Sequence, residues 1–151
     1  MEILESMPHC RLLGMRIIEL RCGYGLMEVP YHKNLVGNPA TEVIHGGVIT
    51  AFLDTLCGFA VVASISQGTV IATLDLRIDY LRPAEPGVSI LGSAECYKVT
   101  RTIAFARGIA YQETFRDPVA HCAGTFMLGA TSFTAEGSRS APGDPTVSVK
   151  E

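Results

Sequence analysis

Apolar residues are laid out along this chain in two ways. Over residues 47–66 (GVITAFLDTLCGFAVVASIS) they run almost unbroken, with Asp54 as the only charge among twenty positions. Elsewhere they come in short stretches that alternate with polar residues and end at Gly, Pro or Asp. A run of about 20 apolar residues is long enough to cross a bilayer as a helix. A carboxylate near its middle costs on the order of 2.5–3.5 kcal/mol there. Two Thr, two Ser, an interior Gly and the lack of any close Lys or Arg add to that objection. The segment therefore predicts a buried helix of a globular domain. Residues 70–80 (VIATLDLRIDY) alternate with period two, which predicts a strand. Ala72, Leu74, Leu76, Ile78 and Tyr80 lie on one face, and Thr73, Asp75, Arg77 and Asp79 on the other.

The remaining pattern is also of strands. Residues 15–20 and 26–29 flank a Cys22–Gly23–Tyr24–Gly25 turn. Residues 88–99, 102–113 and 119–128 are joined by turns at Thr100–Arg101 and Arg116–Asp117–Pro118, as in an antiparallel meander. The predicted class is α+β: a long central helix wrapped by a curled antiparallel sheet of about five strands. Residues 1–130 form the expected domain. Residues 131–151, rich in Ser, Thr, Gly and Pro, read as a disordered tail.

Composition narrows the function classes. At 151 residues the chain suits one domain. A formal charge of −3 argues against nucleic acid as the main partner, because phosphate neutralisation needs a basic face. Cys10, Cys22, Cys57, Cys96 and Cys122 are an odd, scattered set without a CxxC pair, and the start MEILESMPHC lacks a signal-like run. A reducing cytoplasm is the expected compartment. The adjacent pairs His9–Cys10 and His121–Cys122 would point to opposite faces of an extended chain, so no metal is expected.

At 100° per residue, Val48, Phe52, Leu56, Phe59 and Ala63 make a bulky helix face, with Ile49, Leu53 and Ala60 beside it. The opposite side carries Thr50, Ala51, Asp54, Cys57, Gly58 and Val61. A solvent face would normally hold Lys, Glu, Arg or Gln, and this one holds none. Asp54 is thus an expensive residue unless it has partners or a task. Just ahead lies His45–Gly46–Gly47. The helix's first amides, those of Gly46 and Gly47, would be unshielded by side chains at the positive end of the dipole, a receptor for a developing oxyanion. Gly46 and Asp54 are eight residues apart, about 12 Å along a helix, too far to serve one carbonyl. A two-fold axis pairing antiparallel helices would bring Asp54 of one chain beside Gly46 of the other. If both act on one bond, the active unit is a homodimer.

HGGVITAFLDTLCGFA (residues 45–60) followed by TLDLRIDYLRPA (residues 73–84) resembles the hotdog-fold acyl-CoA thioesterases of the phenylacetate-degradation (PaaI-like) family, over residues 12–129. The resemblance implies that Asp54 is the catalytic acid, as nucleophile or general base on water. It implies that the Gly46 N–H polarises the thioester carbonyl, that His45 shapes the site and that Thr73 assists Asp54. Asn38 matches the family's loop Asn, seven residues before His45 where related motifs place it six before. Glu42 is a second carboxylate in that longer loop. The family takes acyl-CoA substrates without a cofactor, combines two subunits at each site and often forms homotetramers.

Arg82, Lys98, Arg101 and Arg107, at or near the ends of later strands, are candidates for the CoA phosphates, with Gly47 as a further substrate contact. Cys57 lacks a His placed to activate it, and no GxSxG elbow occurs. Two other functions remain open from sequence: a non-catalytic acyl-CoA-binding module, and a hotdog enoyl-thioester hydratase or dehydratase. No membrane association is expected.

Overall fold

The computed structural model describes residues 4 and 6–129. The expected tail, residues 131–151, lies outside the described residues. The elements run α1 (Pro8–Leu12), β1 (Arg16–Arg21), β2 (Tyr24–Val29), a 3-10 turn (Lys33–Leu35), β3 (Val36–Asn38), β4 (Val43–Ile44), α2 (Gly46–Val62), β5 (Ile71–Tyr80), β6 (Ile90–Val99), β7 (Ile103–Tyr111) and β8 (Ala120–Leu128). The main sheet is antiparallel with order β1-β2-β6-β7-β8-β5, and β3 pairs with β4 in a small ladder of its own.

The class is as the sequence predicts, with six strands in the main sheet rather than about five. The meander β6–β7–β8 forms as expected. Strand β5 does not turn back onto β6; it pairs with β8 at the sheet's far edge. The connection, residues 81–89, contains Pro83 and Pro86, which supply no N–H to zip a hairpin. Nine residues can span about 30 Å, ample to cross the widths of β7 and β8.

Helix α2 lies across the inner face of the sheet because the two surfaces are complementary in size. The helix contributes Phe52, Leu53 and Leu56, all fully buried. The sheet answers with Ala94, Ala104, Ala106, Ala110 and Ala120, also buried, so the backbones come close. Gly92 marks the tightest approach: a Cβ there would sit 2.6 Å from Phe52 Cε1 and 2.8 Å from Leu56 Cδ2. The helix ends four residues sooner than the hydrophobic run suggests, at Val62, where Ser64 turns back to bond the Ala60 carbonyl at 2.9 Å. Among the described residues no helix is long and apolar enough to cross a membrane.

The small-residue face of α2 needs correction. Cys57 and Val61 are completely buried, Cys57 with its sulfur 3.5 Å from that of Cys122 on β8. The side left half-exposed runs through Ala51, Asp54, Thr55 and Gly58. Sheet curvature wraps further round the helix than a flat wheel allows for.

Candidate active site

His45 begins α2 as its N-cap. Its backbone is extended, and its Nδ1 accepts from the Gly47 N–H at 2.9 Å, satisfying one of the amides that a helix start leaves without an intrahelical partner. A ring nitrogen that accepts carries no proton, so the neutral imidazole holds its proton on Nε2. The His45 carbonyl takes the Val48 N–H at 2.9 Å, and its own N–H reaches Leu35 O at 2.8 Å. Gly37 on β3 passes so close that a Cβ there would lie 3.0 Å from the His45 Cα. Two amides of the first turn are thereby used. The Gly46 N–H has no acceptor among the described residues. The sequence assigns the pair Gly46 and Gly47 as donors; the structure commits Gly47 to His45 and leaves Gly46 open.

The Gly46 carbonyl is also engaged. Tyr80 Oη, at the end of β5, donates to it at 2.7 Å, and Thr50 Oγ1 lies 3.2 Å from it and 2.8 Å from Tyr80 Oη. Sequence alone did not single out Tyr80. It sits in the LRIDYLRPA stretch as one more alternating apolar position, and nothing in that pattern shows where its hydroxyl goes.

Asp54 is half-buried in the middle of α2, and Thr73 Oγ1 donates to its Oδ1 at 2.9 Å. Strict alternation would send Thr73 to the outer face of β5. A bulge between Thr73 and Asp75 in the pairing with β8 changes this: Thr73 stands opposite Phe126 and Asp75 opposite Thr125, with Leu74 extra. Beyond the bulge the inward set is Leu76 and Ile78, which pack on the core, and Tyr80; before it the inward set is Ile71 and Thr73. Leu74, expected with the apolar face, is 54% exposed.

Cys57, one turn beyond Asp54, is completely buried, which keeps its thiol from a substrate; the contact with Cys122, then burial, push its pKa above the ordinary thiol value.

Asn38 and Glu42 are placed in the β3–β4 turn. Asn38 Oδ1 accepts from its own turn, at Ala40 N (3.0 Å), and its carbonyl takes Thr41 N and Glu42 N at 3.1 and 2.9 Å. The β3–β4 ladder has a register shift between Val36 and Asn38, and Glu42 lies in the left-handed region at φ 54°. Glu42 pairs with Lys33 at 3.7 Å.

The candidate phosphate contacts divide. The Arg82 guanidinium is engaged locally: Nε is 3.0 Å from Asp117 Oδ2, Nη2 donates to Asp117 O at 3.0 Å, and Nη1 to Pro83 O and Gln112 Oε1 at 3.1 and 3.3 Å. Arg107 pairs with Glu95 and lies over the Tyr97 ring at 5.6 Å. Lys98 is exposed on β6. Arg101 lines a depression with Ser64, Ser66 and Thr69, beside the C-terminal end of α2. Among the described residues no group of three or more His, Cys, Asp and Glu gathers as a metal ion would require.

One helix wrapped by an antiparallel sheet, begun by His-Gly-Gly and bearing a hydrogen-bonded acid at its centre, is the architecture of hotdog thioester hydrolases. The chain belongs to the thioesterase superfamily, whose family model matches residues 41–118. It is 29% identical over 136 residues to the medium/long-chain acyl-CoA thioesterase YigI of Escherichia coli strain K12, covering 82% of this chain and 86% of that one. A crystal structure of a Pseudomonas aeruginosa protein superposes with a TM-score of 0.76 at 41% identity, over 83% of this chain and 93% of that chain. A phenylacetic acid degradation-related protein from Ralstonia eutropha superposes with a TM-score of 0.72 at 25% identity, over 83% and 96% respectively. The family resemblance read from the motif is thereby met.

Proposed function

We propose that this enzyme hydrolyses acyl-CoA thioesters in a homodimer. Asp54 acts as nucleophile or as general base on water, and the backbone N–H of Gly46 of the partner subunit polarises the carbonyl. The observation that carries this reading is the unspent Gly46 amide at the start of the helix that bears the Thr73-bound Asp54. The two groups lie about 12 Å apart along one helix, so they serve one thioester only if they come from different chains. Strand β5 suits that assembly: its outer edge has no partner strand among the described residues, and Leu74 and Tyr80 on it, with Val70 just before it, stand about half-exposed.

Negative charge grows on the carbonyl oxygen as the C–O bond forms and is met by the partner's Gly46 N–H. The tetrahedral species collapses by breaking the C–S bond, and CoA leaves as its thiol. In the general-base route it takes the proton that Asp54 drew from water. In the nucleophilic route it takes one from solvent, and a water then hydrolyses the acyl–Asp54 anhydride to free acid and carboxylate. Losing an oxyanion donor typically costs about 10²–10³ in rate. His45 and Thr73 hold the donor and the acid, and Asn38 is a candidate loop contact to the thioester. An antiparallel pairing that sets Asp54 beside the partner's Gly46 would leave the C-terminal end of α2, with Arg101 near it, about 12 Å further along. A long CoA chain can span that separation, which favours Arg101 and the nearby Lys98 over Arg82 and Arg107 as contacts for the CoA phosphates.

Asp54→Asn tests the reading. With a panel of acyl-CoAs, kcat is expected to fall by several orders of magnitude while the oligomer stays folded; unchanged turnover overturns the role of Asp54. Single-turnover hydrolysis in H₂¹⁸O bears on the route. Heavy oxygen in Asp54 marks a nucleophilic Asp54 whose mixed anhydride water opens at the Asp54 carbon. Heavy oxygen in the product acid alone is common to a general base and to an anhydride opened at the acyl carbon, which chemical trapping of the anhydride then tells apart.

A further inference from the structure

Two consecutive glycines are the loosest backbone from which to aim a hydrogen-bond donor, because Gly ranges over more conformations than any other residue. Polarising a carbonyl requires a donor fixed before charge develops. The backbone on both sides of Gly46 Cα is held to that end. On the N-terminal side, Val48 N–H donates to the His45 carbonyl at 2.9 Å. On the C-terminal side, the peptide joining Gly46 to Gly47 is gripped at both ends. Its N–H goes to His45 Nδ1 at 2.9 Å, and its oxygen receives Tyr80 Oη at 2.7 Å.

Of these holds, only that of Tyr80 comes from a distant element. Its ring end lies directly over Gly46, where a Cβ would meet Oη at 3.4 Å and Cζ at 3.5 Å. Two hydroxyl protons serve three close contacts here. Tyr80 gives its proton to the Gly46 carbonyl, and Thr50 gives its own to the Tyr80 oxygen at 2.8 Å or to the same carbonyl at 3.2 Å. Tyr80 thus ties the helix start to β5, the strand that also holds Asp54 through Thr73.

We propose that Tyr80 is a positioning residue for thioester hydrolysis: its hydroxyl, seconded by Thr50, clamps the Gly46–Gly47 peptide so that the Gly46 N–H points at the carbonyl oxygen. This rests on the reading of Gly46 as the polarising amide. Tyr80 touches no reacting atom, so its effect belongs to the transition state, where the oxyanion bond strengthens, and not to ground-state binding.

The test uses the full chain and four variants, Tyr80→Phe, Thr50→Val, the double substitution and Asp54→Asn. It measures kcat and KM on an acyl-CoA, and Kd for its non-hydrolysable thioether analogue. Tyr80→Phe keeps the ring and removes only the hydroxyl. It is expected to lower kcat about tenfold, with KM and the thioether Kd within about twofold of wild type. Because Thr50 backs the same carbonyl, the double variant is expected to fall about 10²-fold, approaching loss of the donor. The proposal is overturned if Tyr80→Phe and the double variant keep kcat within about twofold while Asp54→Asn has lost turnover. It is equally overturned if the loss appears in KM and thioether binding, which would make Tyr80 a substrate contact. Asp54→Asn turning over like wild type overturns the underlying reading, and this proposal with it.

Discussion

Thr73 and Tyr80 stand seven residues apart on β5, an odd separation that alternation sends to opposite faces, yet both hydroxyls reach α2. Thr73 meets Asp54 at 2.9 Å and Tyr80 meets the Gly46 carbonyl at 2.7 Å. The bulge at Leu74 is the cause, since one extra residue in the ladder exchanges the faces of everything beyond it. A single strand therefore braces the helix at the acid and at the polarising amide.

The Thr73 bond sets up a prediction. Thr73→Val keeps the shape and removes the donor, so the Asp54 carboxylate loses its fixed rotamer. We expect kcat to drop about tenfold, with recovery in Thr73→Ser. Thr73 is exposed, so the stability change should stay within about 1 kcal/mol. Steady-state kinetics beside thermal melts check both parts, and equal kcat for Val and Ser variants would show that the hydroxyl is idle.

The fold class, the long helix, the meander and the residues at the helix start were legible because each follows from a local pattern: hydrophobic period, turn residues and a His-Gly-Gly helix opening. The inward turn of Thr73 was not, because the bulge at Leu74 is a register event between two strands and leaves no mark on the alternation itself. The short β3–β4 ladder, two or three residues a strand, is below the length at which period two can be read. Burial of Cys57 and Val61 depends on how far the sheet curls around α2, which no helical wheel contains. Tyr80 was visible only as an apolar position because the partner of its hydroxyl, a backbone carbonyl, carries no sequence signature. Arg82 was read as a strand-end cation, and its partner Asp117 lies across a turn that pairing of β7 and β8 brings near.

Gly47→Ala should separate activity from stability. Its Cβ would meet His45 Nδ1 at 2.9 Å and Cε1 at 3.1 Å, so the imidazole must swing away and the cap bond breaks. Loss of a cap costs about 1 kcal/mol, while Ala is favoured over Gly inside a helix by about the same amount. The melting temperature should hardly move while kcat falls as the clamp on the Gly46–Gly47 peptide opens. A variant that melts and turns over like wild type would show that the His45 bond does not position the amide.

Arg82→Ala should act on stability. The guanidinium joins the turn at Pro83 to Asp117 and Gln112, with its side chain only 26% exposed. Hydrogen bonds to charged groups contribute about 1.5–3 kcal/mol, and we expect a loss in that range in denaturant melts. Because those contacts occupy the head group, KM for acyl-CoA should be unchanged. Arg101→Ala should do the reverse, raising KM severalfold with stability held within about 0.5 kcal/mol. A large KM effect in Arg82→Ala would return it to the phosphate contacts.

Alkaline pH should loosen the fold before it alters the chemistry. Burial pushes the Cys10 thiol above the ordinary 9.0, against the smaller opposing effect of its Thr55 hydrogen bond. Burial, then the neighbouring Tyr24, pushes Tyr111 above the ordinary 10.0. Both groups therefore keep their protons longer in the folded chain than in the unfolded one. Below about pH 9 both states are protonated and the fold incurs no penalty. As pH rises past each ordinary value, the unfolded chain releases protons that the folded chain still holds, so unfolding is favoured. Calorimetric melts from about pH 7.5 to 10.5 should show a melting temperature flat at first and declining above about 9. In Cys10→Ala the whole curve should sit lower, because a fully buried side chain is truncated, but with a shallower alkaline decline. A decline of the same steepness in that variant would assign the effect to groups other than Cys10, and a flat curve in the wild type would mean that neither the buried Cys10 nor the half-buried Tyr111 titrates differently on folding.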